Sequence, residues 1–487
     1  MAENKHELWE LQSMQMSPLS VKIAMTKTRI NEWIKEYGQD GVYVSFSGGK
    51  DSTVLLHIVR EVLGYKRVPA VFVDTGLEFP EIREFVKKFE NVVWLKPKMN
   101  FVEVIRKYGY PMISKEVSES VYGARKYLTS ILQDESVLTD RQTDRQTDRQ
   151  TDRQTGHRYR YYYDKVTGQG NYTKQESFPN FADIECMYKP SRGGTITSIE
   201  KSEELANILN DRMKNKKGGA NRRLAIMLGW LTTDENEPIK VNTPNRDRSM
   251  FSQEKYKFFL ESPFEICNRC CNVMKKEPTH RYNHESGRHP MTAQMARESR
   301  LRTQKWLQNG CNGFHLREPI SNPMAFWNES DVLKYIKQNN LEICSVYGDV
   351  VEDWEFINAV AGQMTISDVA GFEAIKDFDA PKPPLRTTGC KRTGCVFCGF
   401  GCHMDNRPNR FELIDNLSNP SLRDFCMRGG AFDSDGLWKP DNRGLGYWFV
   451  LKWINVHGGF DIYIPDYERY EKEYGNELTR SYLESEE

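Results

Sequence analysis

A glycine loop between a buried strand and a helix constrains this chain more than any other feature. Gly41-Val42-Tyr43-Val44-Ser45-Phe46 reads as the strand, Ser47-Gly48-Gly49-Lys50-Asp51-Ser52 as the loop, and Thr53 to Leu63 as the helix. Glycines let a backbone approach a ligand closely, free N–H groups stand ready to donate, and the helix N-terminus adds the positive end of its dipole. The arrangement therefore predicts phosphate binding, against the alternative of a glycine turn without a ligand. It is not a Walker A loop, because the GK[ST] ending after four spacer residues is missing, and it lacks the G-x-G-x-x-G of dinucleotide sites.

Around the loop, strands alternate with helices. A helix is expected from Val21 to Tyr37, ending at Gly38. A second strand is expected over Val68 to Asp74, a helix over about Pro80 to Phe89, and a third strand over Val92 to Leu95. This alternation predicts an α/β fold with a parallel sheet and right-handed crossovers. A further amphipathic helix is expected from about Glu329 to Asn339. Between Tyr127 and Phe259 the pattern gives way to polar, Gly- and Lys-rich sequence. The expected organisation is a nucleotide-binding core over 16–126, an insertion over 127–259, a continuation of the core over 260–350, and a small Cys-rich lobe over 376–487.

The 487 residues carry 68 Lys+Arg and 68 Asp+Glu, so no global field attracts polyanions and general DNA coating is disfavoured. No window approaches the roughly 18 uninterrupted apolar residues of a membrane span, and MAENKHELWE lacks the pattern of a signal peptide. A cytoplasmic protein is expected. In a reducing compartment its eleven cysteines suit metal or cluster ligation better than disulfides. Cys390, Cys395, Cys398 and Cys402 form C-x4-C-x2-C-x3-C, and Cys267, Cys270 and Cys271 form C-x2-C-C. Soft thiolates at this spacing fit an iron–sulfur centre or zinc, with reduced unligated thiols as the plain alternative. Cys186, Cys311, Cys344 and Cys426 are isolated and read as packing residues.

Several segments resemble known proteins. Ser47 to Ser52 is similar to the S-G-G-x-D-S loop of the PP-loop ATP pyrophosphatase superfamily. Val73-Asp74-Thr75-Gly76-Leu77-Glu78-Phe79-Pro80-Glu81 looks like the V-D-T-G-x-x-F-P-E segment of its phosphoadenosine phosphosulfate reductase-like members. Cys270-Cys271 with Lys275 and Pro278 resembles their C-C-x-x-x-K-x-x-P. Glu298-Ser299 with Arg302 is similar to E-S-x-x-R, and Pro319 with Trp327, Asp331, Val332 and Tyr335 resembles a further family stretch. The resemblance implies a PP-loop core, Lys50 and Asp51 as catalytic groups, and nucleotide contacts from Ser45, Ser47, Gly48, Gly49, Lys50, Asp51, Ser52, Asp74, Lys275, Glu298 and Arg302. By likeness to cluster-bearing adenosine phosphosulfate reductases it also implies that Cys270, Cys271, Cys395 and Cys398 hold a 4Fe-4S cluster, with Cys267, Cys390 and Cys402 as substitutes.

Two departures bear on the reaction. The family's G-x-R-x-x-E-S has an arginine where Met295 stands, and Ala293 replaces its glycine. No cysteine follows Cys426, whereas the true reductases use a C-terminal E-C-G-x-H thiol to attack the sulfonucleotide. The first expectation is therefore ATP pyrophosphatase or adenylylation chemistry with Mg2+, coupled to iron–sulfur-assisted sulfur transfer of the kind that resembles DNA phosphorothioation. Reduction of adenylyl sulfate or phosphoadenylyl sulfate, with an internal thiol such as Cys402, is the second. A non-enzymatic nucleotide-sensing subunit is the third. The partners expected are an adenine nucleotide, DNA or a protein of a modification or defence system, and a second copy in a homodimer, with no membrane.

Thr139 to Gln154 is four copies of Thr-Asp-Arg-Gln, with Thr155 opening a fifth. Charged and polar throughout, the repeat predicts a solvated segment with no packed element. The codons ACA-GAC-AGA-CAG are also the unit ACAG written three times, so the repeat is readable as a translated tetranucleotide tract. Slippage by one unit would then switch the reading frame, as suits a costly defence or modification function. An inert expansion in a tolerant loop is the other reading. Sequencing the tract in many clones of one culture is expected to give lengths differing by whole units; a fixed length or mixed synonymous codons would end the idea.

Overall fold

The structure, a computed structural model, describes residues 4–132, 253–354, 383–416 and 420–484, with five short strands between 149 and 196. The chain divides into two compact units. The first comprises residues 1–104, 270–398 and 416–418, and the second residues 105–269, 399–415 and 419–487. Among the described residues no helix is long and apolar enough to cross a membrane.

The first unit is built on six strands: β1 (Val42–Ser45), β2 (Ala70–Val73), β3 (Val92–Leu95), β4 (His289–Met291), β5 (Asn312–Gly313) and β6 (Ile320–Ser321). Their order is β5-β6-β4-β1-β2-β3. Every pairing is parallel except β5 with β6. Val42, Tyr43 and Val44 are wholly buried, as are Ala70 and Phe72, whereas β3 at the edge is half-buried. Central strands covered on both faces read as unbroken apolar runs, and this is why their pattern was visible in the sequence.

Helices α1 (Leu19–Tyr37), α2 (Lys50–His57), α3 (Pro80–Lys87), α4 (Glu277–Ser286), α5 (Arg300–Asn309) and α6 (Glu329–Gln338) belong to the same unit. The alternation confirms the expected α/β class with a largely parallel sheet. The first helix starts two residues early, at Leu19, the second strand is shorter than expected, at Ala70–Val73, and α2 starts at Lys50, not Thr53. The Gly49 carbonyl accepts from the Thr53 amide at 3.0 Å and from the Ser52 and Thr53 hydroxyls at 3.0 and 2.9 Å. These bonds draw Lys50, Asp51 and Ser52 into the first helical turn, and α2 then passes into a wider π turn over Ile58–Val62.

The second unit has its own aromatic core, with Tyr110, Phe259, Phe264, Trp438, Trp448 and Trp453 buried. The Tyr110 hydroxyl donates to the Leu445 carbonyl at 2.8 Å, and the Trp438 amide donates to the Pro263 carbonyl at 2.6 Å. Gly399–Phe400 pairs in parallel with Met112–Ile113. Of the tandem repeat, Arg149–Thr151 forms a strand antiparallel to Arg158–Arg160. The rest of the repeat lies outside the described residues, as does Cys186.

A buried ion pair ties α1 to α6. Lys22 Nζ donates to Asp331 Oδ2 at 2.6 Å, and Asp331 Oδ2 also accepts from the Asn328 amide at 2.9 Å. Asn328 in turn caps the helix through the Asp331 amide at 3.0 Å. Beside them Trp327 Nε1 donates to Thr26 Oγ1 at 2.8 Å, and Thr26 donates to the Pro323 carbonyl at 3.2 Å. Removing one charge leaves the other buried and unpaired, so Lys22→Ala or Asp331→Ala is expected to destabilise the first unit by about 3–5 kcal/mol. The double variant Lys22→Met/Asp331→Leu is expected to lose much less, as read by urea unfolding.

Candidate nucleotide and thiol sites

The sheet order places a switch point beside β1. The chain runs outward through β1, β2 and β3 and then returns to β4 on the other side of β1. Segments leaving the C-terminal ends of β1 and β4 diverge there, and ligands of open α/β sheets bind in such a crevice. The glycine loop leaves β1 at this point, Asp74 follows β2, and Glu298 and Arg302 follow β4.

The loop is braced from within. Gly48 has φ +69°, and a Cβ there would lie 2.9 Å from the Ile82 and Val86 methyl carbons of α3. Only glycine fits this position. The Ser47 amide donates to Ser52 Oγ at 3.2 Å, the two hydroxyls stand 3.1 Å apart, and the Gly49 amide donates to Ser47 Oγ at 3.3 Å. Ser45 ends β1 just before the loop.

Lys50 is 3% exposed. Its ammonium donates to the Lys391 carbonyl at 2.8 Å, pairs with Glu329 at 3.2 Å, and stands 4.0 Å from Asp51 Oδ1. Burial pushes the Asp51 carboxyl up, opposed first by the Lys50 charge. Asp51 Oδ1 is buried without a hydrogen-bond partner. A carboxylate oxygen held this way suits a cation ligand, because a cation would offset the desolvation that now disfavours its charge. Asp74, by contrast, is committed to the fold: it accepts from Arg83 at 2.9 Å and from the Gly76 amide at 3.3 Å.

Charged groups from β4 and from the cysteine segment meet near the loop. Glu298 pairs with Arg302 through one oxygen and lies 3.6 Å from Arg392 Nη1 through the other. Burial lowers the Arg302 guanidinium, the Arg392 charge lowers it further, and Asp51 opposes both. The Tyr347 hydroxyl accepts from the Lys50 amide at 3.3 Å and is 2.8 Å from Thr393 Oγ1. Sequence reasoning missed Glu329, Tyr347, Lys391, Arg392 and Thr393. The last three sit between Cys390 and Cys395, where only the thiols stood out, and no local pattern marks Tyr347.

A second cluster lies in the same unit. Cys270 and Cys271 are free thiols joined by a hydrogen bond, and the Cys270 thiol is driven up first by that hydrogen bond, then by burial and by the neighbouring Cys271, Cys398 and Cys395. Burial pushes the Cys395 thiol up to about 11, against the pull of Lys275. Lys275 is exposed as a residue, yet local desolvation pulls its ammonium down, and Cys395, Glu78 and Cys271 outweigh it and leave the ammonium raised. Thus Cys270, Cys271, Cys395 and Cys398 gather, with Lys275 among the thiols. Cys390 is raised by burial and by Glu81. Cys267 and Cys402 belong to the other unit, where Cys267 Sγ contacts the Gly109 carbonyl at 3.8 Å. Among the described residues, no three His, Cys, Asp or Glu side chains converge as they must to hold one metal ion.

Comparison with known proteins follows the same outline. Over 114 residues the chain is 37% identical to an uncharacterized protein, MJ0973, of Methanocaldococcus jannaschii, covering 22% of this chain and 25% of that one. Over 119 residues it is 31% identical to adenosine 5'-phosphosulfate reductase of Bacillus cytotoxicus, covering 24% and 45%. Over 94 residues it is 32% identical to a glutamine-hydrolyzing GMP synthase of Francisella philomiragia, covering 18% of each. The chain thus spans less than half the length of each of these relatives. No solved structure matches it. The family model for the phosphoadenosine phosphosulfate reductase domain matches residues 41–122 and 234–399, just over half of the chain. Because that match takes in the glycine loop, the sheet that carries it and the Cys390–Cys398 segment, the chain belongs to the phosphoadenosine phosphosulfate reductase family of the PP-loop superfamily.

Proposed function

We propose that the chain binds ATP at Ser47–Ser52 and uses it for adenylyl transfer coupled to sulfur chemistry at the thiol cluster. One observation carries this reading. The segment from Cys390 to Cys398 bonds the glycine loop through the Lys391 carbonyl, reaches it again from Thr393 by way of Tyr347, and contributes Cys395 and Cys398 to the thiols, so the two sites share one short stretch of chain. The family binds adenine nucleotides, which supports the first half.

In the adenylyl step Lys50 and the loop amides neutralise the phosphates, and Asp51, whose buried Oδ1 makes no hydrogen bond, would hold Mg2+. An acceptor oxygen bonds to the α-phosphorus as that phosphorus loses its bond to the bridging oxygen, and pyrophosphate leaves with the electron pair. Asp74, at the end of the neighbouring strand, is held in its turn by Arg83. The resemblance to phosphorothioation sulfurtransferases supplies the acceptor class, a DNA backbone.

The donor set fits an iron–sulfur cluster better than zinc. The set is all thiol, as iron–sulfur clusters use, and its C-C and C-x-x-C pairs are those by which the chain resembles cluster-bearing adenosine phosphosulfate reductases. Cys270, Cys271, Cys395 and Cys398 would hold it, and when bound it supplies electrons or sulfur. Lys275, packed against Cys395, balances the thiolate charge. Cys311, Cys344 and Cys426 are buried with thiols pushed up by burial, which unsuits them for attack on a sulfonucleotide.

A second reading, reduction of adenylyl sulfate, draws on the likeness to the Bacillus cytotoxicus enzyme of that name. Two assays separate them. Pyrophosphate release from ATP with Mg2+ is expected, falling about 100-fold or more in Asp51→Ala and in Lys50→Ala. Sulfite release from adenylyl sulfate with a reductant, without pyrophosphate from ATP, would instead establish the second reading. Anaerobically purified protein is expected to be brown and to contain iron, with both lost in Cys395→Ser; a colourless zinc protein would discard the cluster.

A further inference from the structure

The motif that ends in Glu298-Ser299 places an arginine at the position of Met295. Met295 is 4% exposed and packs in the hydrophobic core of the first unit, so it presents no charge to a ligand. Its amide donates to Glu298 Oε2 at 3.0 Å, and it keeps only the motif's backbone role. A guanidinium from elsewhere in the chain stands beside the motif's glutamate. Glu298 Oε1 faces Arg392 at 3.6 Å while Glu298 Oε2 pairs with Arg302. One carboxylate therefore stands between two guanidiniums.

The backbone on either side of Arg392 is fixed to the glycine loop independently of its side chain. The Lys391 carbonyl accepts from Lys50 Nζ at 2.8 Å, and Thr393 Oγ1 lies 2.8 Å from the Tyr347 hydroxyl that accepts from the Lys50 amide. Between these two anchors the Arg392 side chain is 64% exposed. It touches Glu298 at a distance longer than a hydrogen bond and has reach to spare. Charge supports the same conclusion, since Arg302 and Arg392 repel one another and both sense Asp51. Two guanidiniums share the one Glu298 carboxylate, which leaves the exposed Arg392 fork with donors for a tetrahedral oxyanion.

We infer that Arg392 replaces the arginine absent at position 295 and binds the oxyanion attached beyond the α-phosphate of an adenylate. The inference rests on the nucleotide reading above and adds to it the residue that recognises the distal group. Phosphates of ATP and the sulfate of adenylyl sulfate share that chemistry, so both serve as probes. Glu298 acts as a positioning residue, holding Arg302 and Arg392 to one side of the loop.

Calorimetric titration of the full-length chain with ATP and Mg2+, adenylyl sulfate, AMP and adenosine tests it. Arg392→Ala is expected to weaken ATP or adenylyl sulfate, whichever the unaltered chain binds, about 10-fold or more, with AMP and adenosine changed less than about 2-fold. Arg392→Lys is expected to fall between, because it keeps the charge and loses the fork. Which of the two probes responds identifies the distal group. Equal weakening of adenosine and ATP would assign Arg392 a structural role and overturn the inference. So would unchanged ATP and adenylyl sulfate binding in Arg392→Ala, which would leave the nucleotide reading intact. Failure of the unaltered chain to bind any of the four would overturn that reading and this inference with it.

Discussion

The nucleotide site depends on a backbone that only glycine can follow. At Gly48 the chain turns with positive φ against Ile82 and Val86, so α3 touches the loop with no side chain between them. The contact sets where the next residues go. Gly49 caps α2, Lys50 enters its first turn, and the Lys50 side chain is carried inward to Glu329 and the Lys391 carbonyl. A buried ammonium is costly without partners, and here the partners come from α6 and from the cysteine segment. The loop, the helix behind it and two distant stretches of sequence are thus held by one turn.

Charge near the loop follows from the sheet. Parallel strands deliver their following segments to one edge, and the return of the chain to β4 beside β1 brings Glu298 and Arg302 next to Asp51. These groups are about 250 residues apart in sequence, and their meeting needs no local signal beyond strand order. The Lys22–Asp331 pair works at the back of the same unit. It joins α1 to the first turn of α6, the turn that also carries Glu329 to Lys50.

Much of the fold was legible because central parallel strands are apolar throughout and their helices begin at recognisable glycines and prolines. β3 was placed to the residue, and α2 was misplaced only where side-chain hydroxyls extended its first turn. The loop and the paired cysteines were legible because their spacing is itself the chemistry. The Lys275 motif suggests a phosphate ligand but carries no sign of its thiol neighbours, because Cys395 lies 120 residues further along the chain. Arg392, Tyr347 and Thr393 were invisible because their partners lie 40 or more residues away, and no period or motif links them.

The stretch from Cys390 to Cys398 is held at many points: Cys390 through its amide to Val346, Lys391 to Lys50, Thr393 to Tyr347, Val396 to Leu77, and Cys395 among the thiols. A chain advances at most about 3.5 Å per residue, so a stretch pinned this often has no slack to share out. Insertion or deletion of a single amino acid there would shift a thiol or a phosphate-side contact out of register. A ribbon anchored this densely tolerates exchange of its side chains far better than any change in their number.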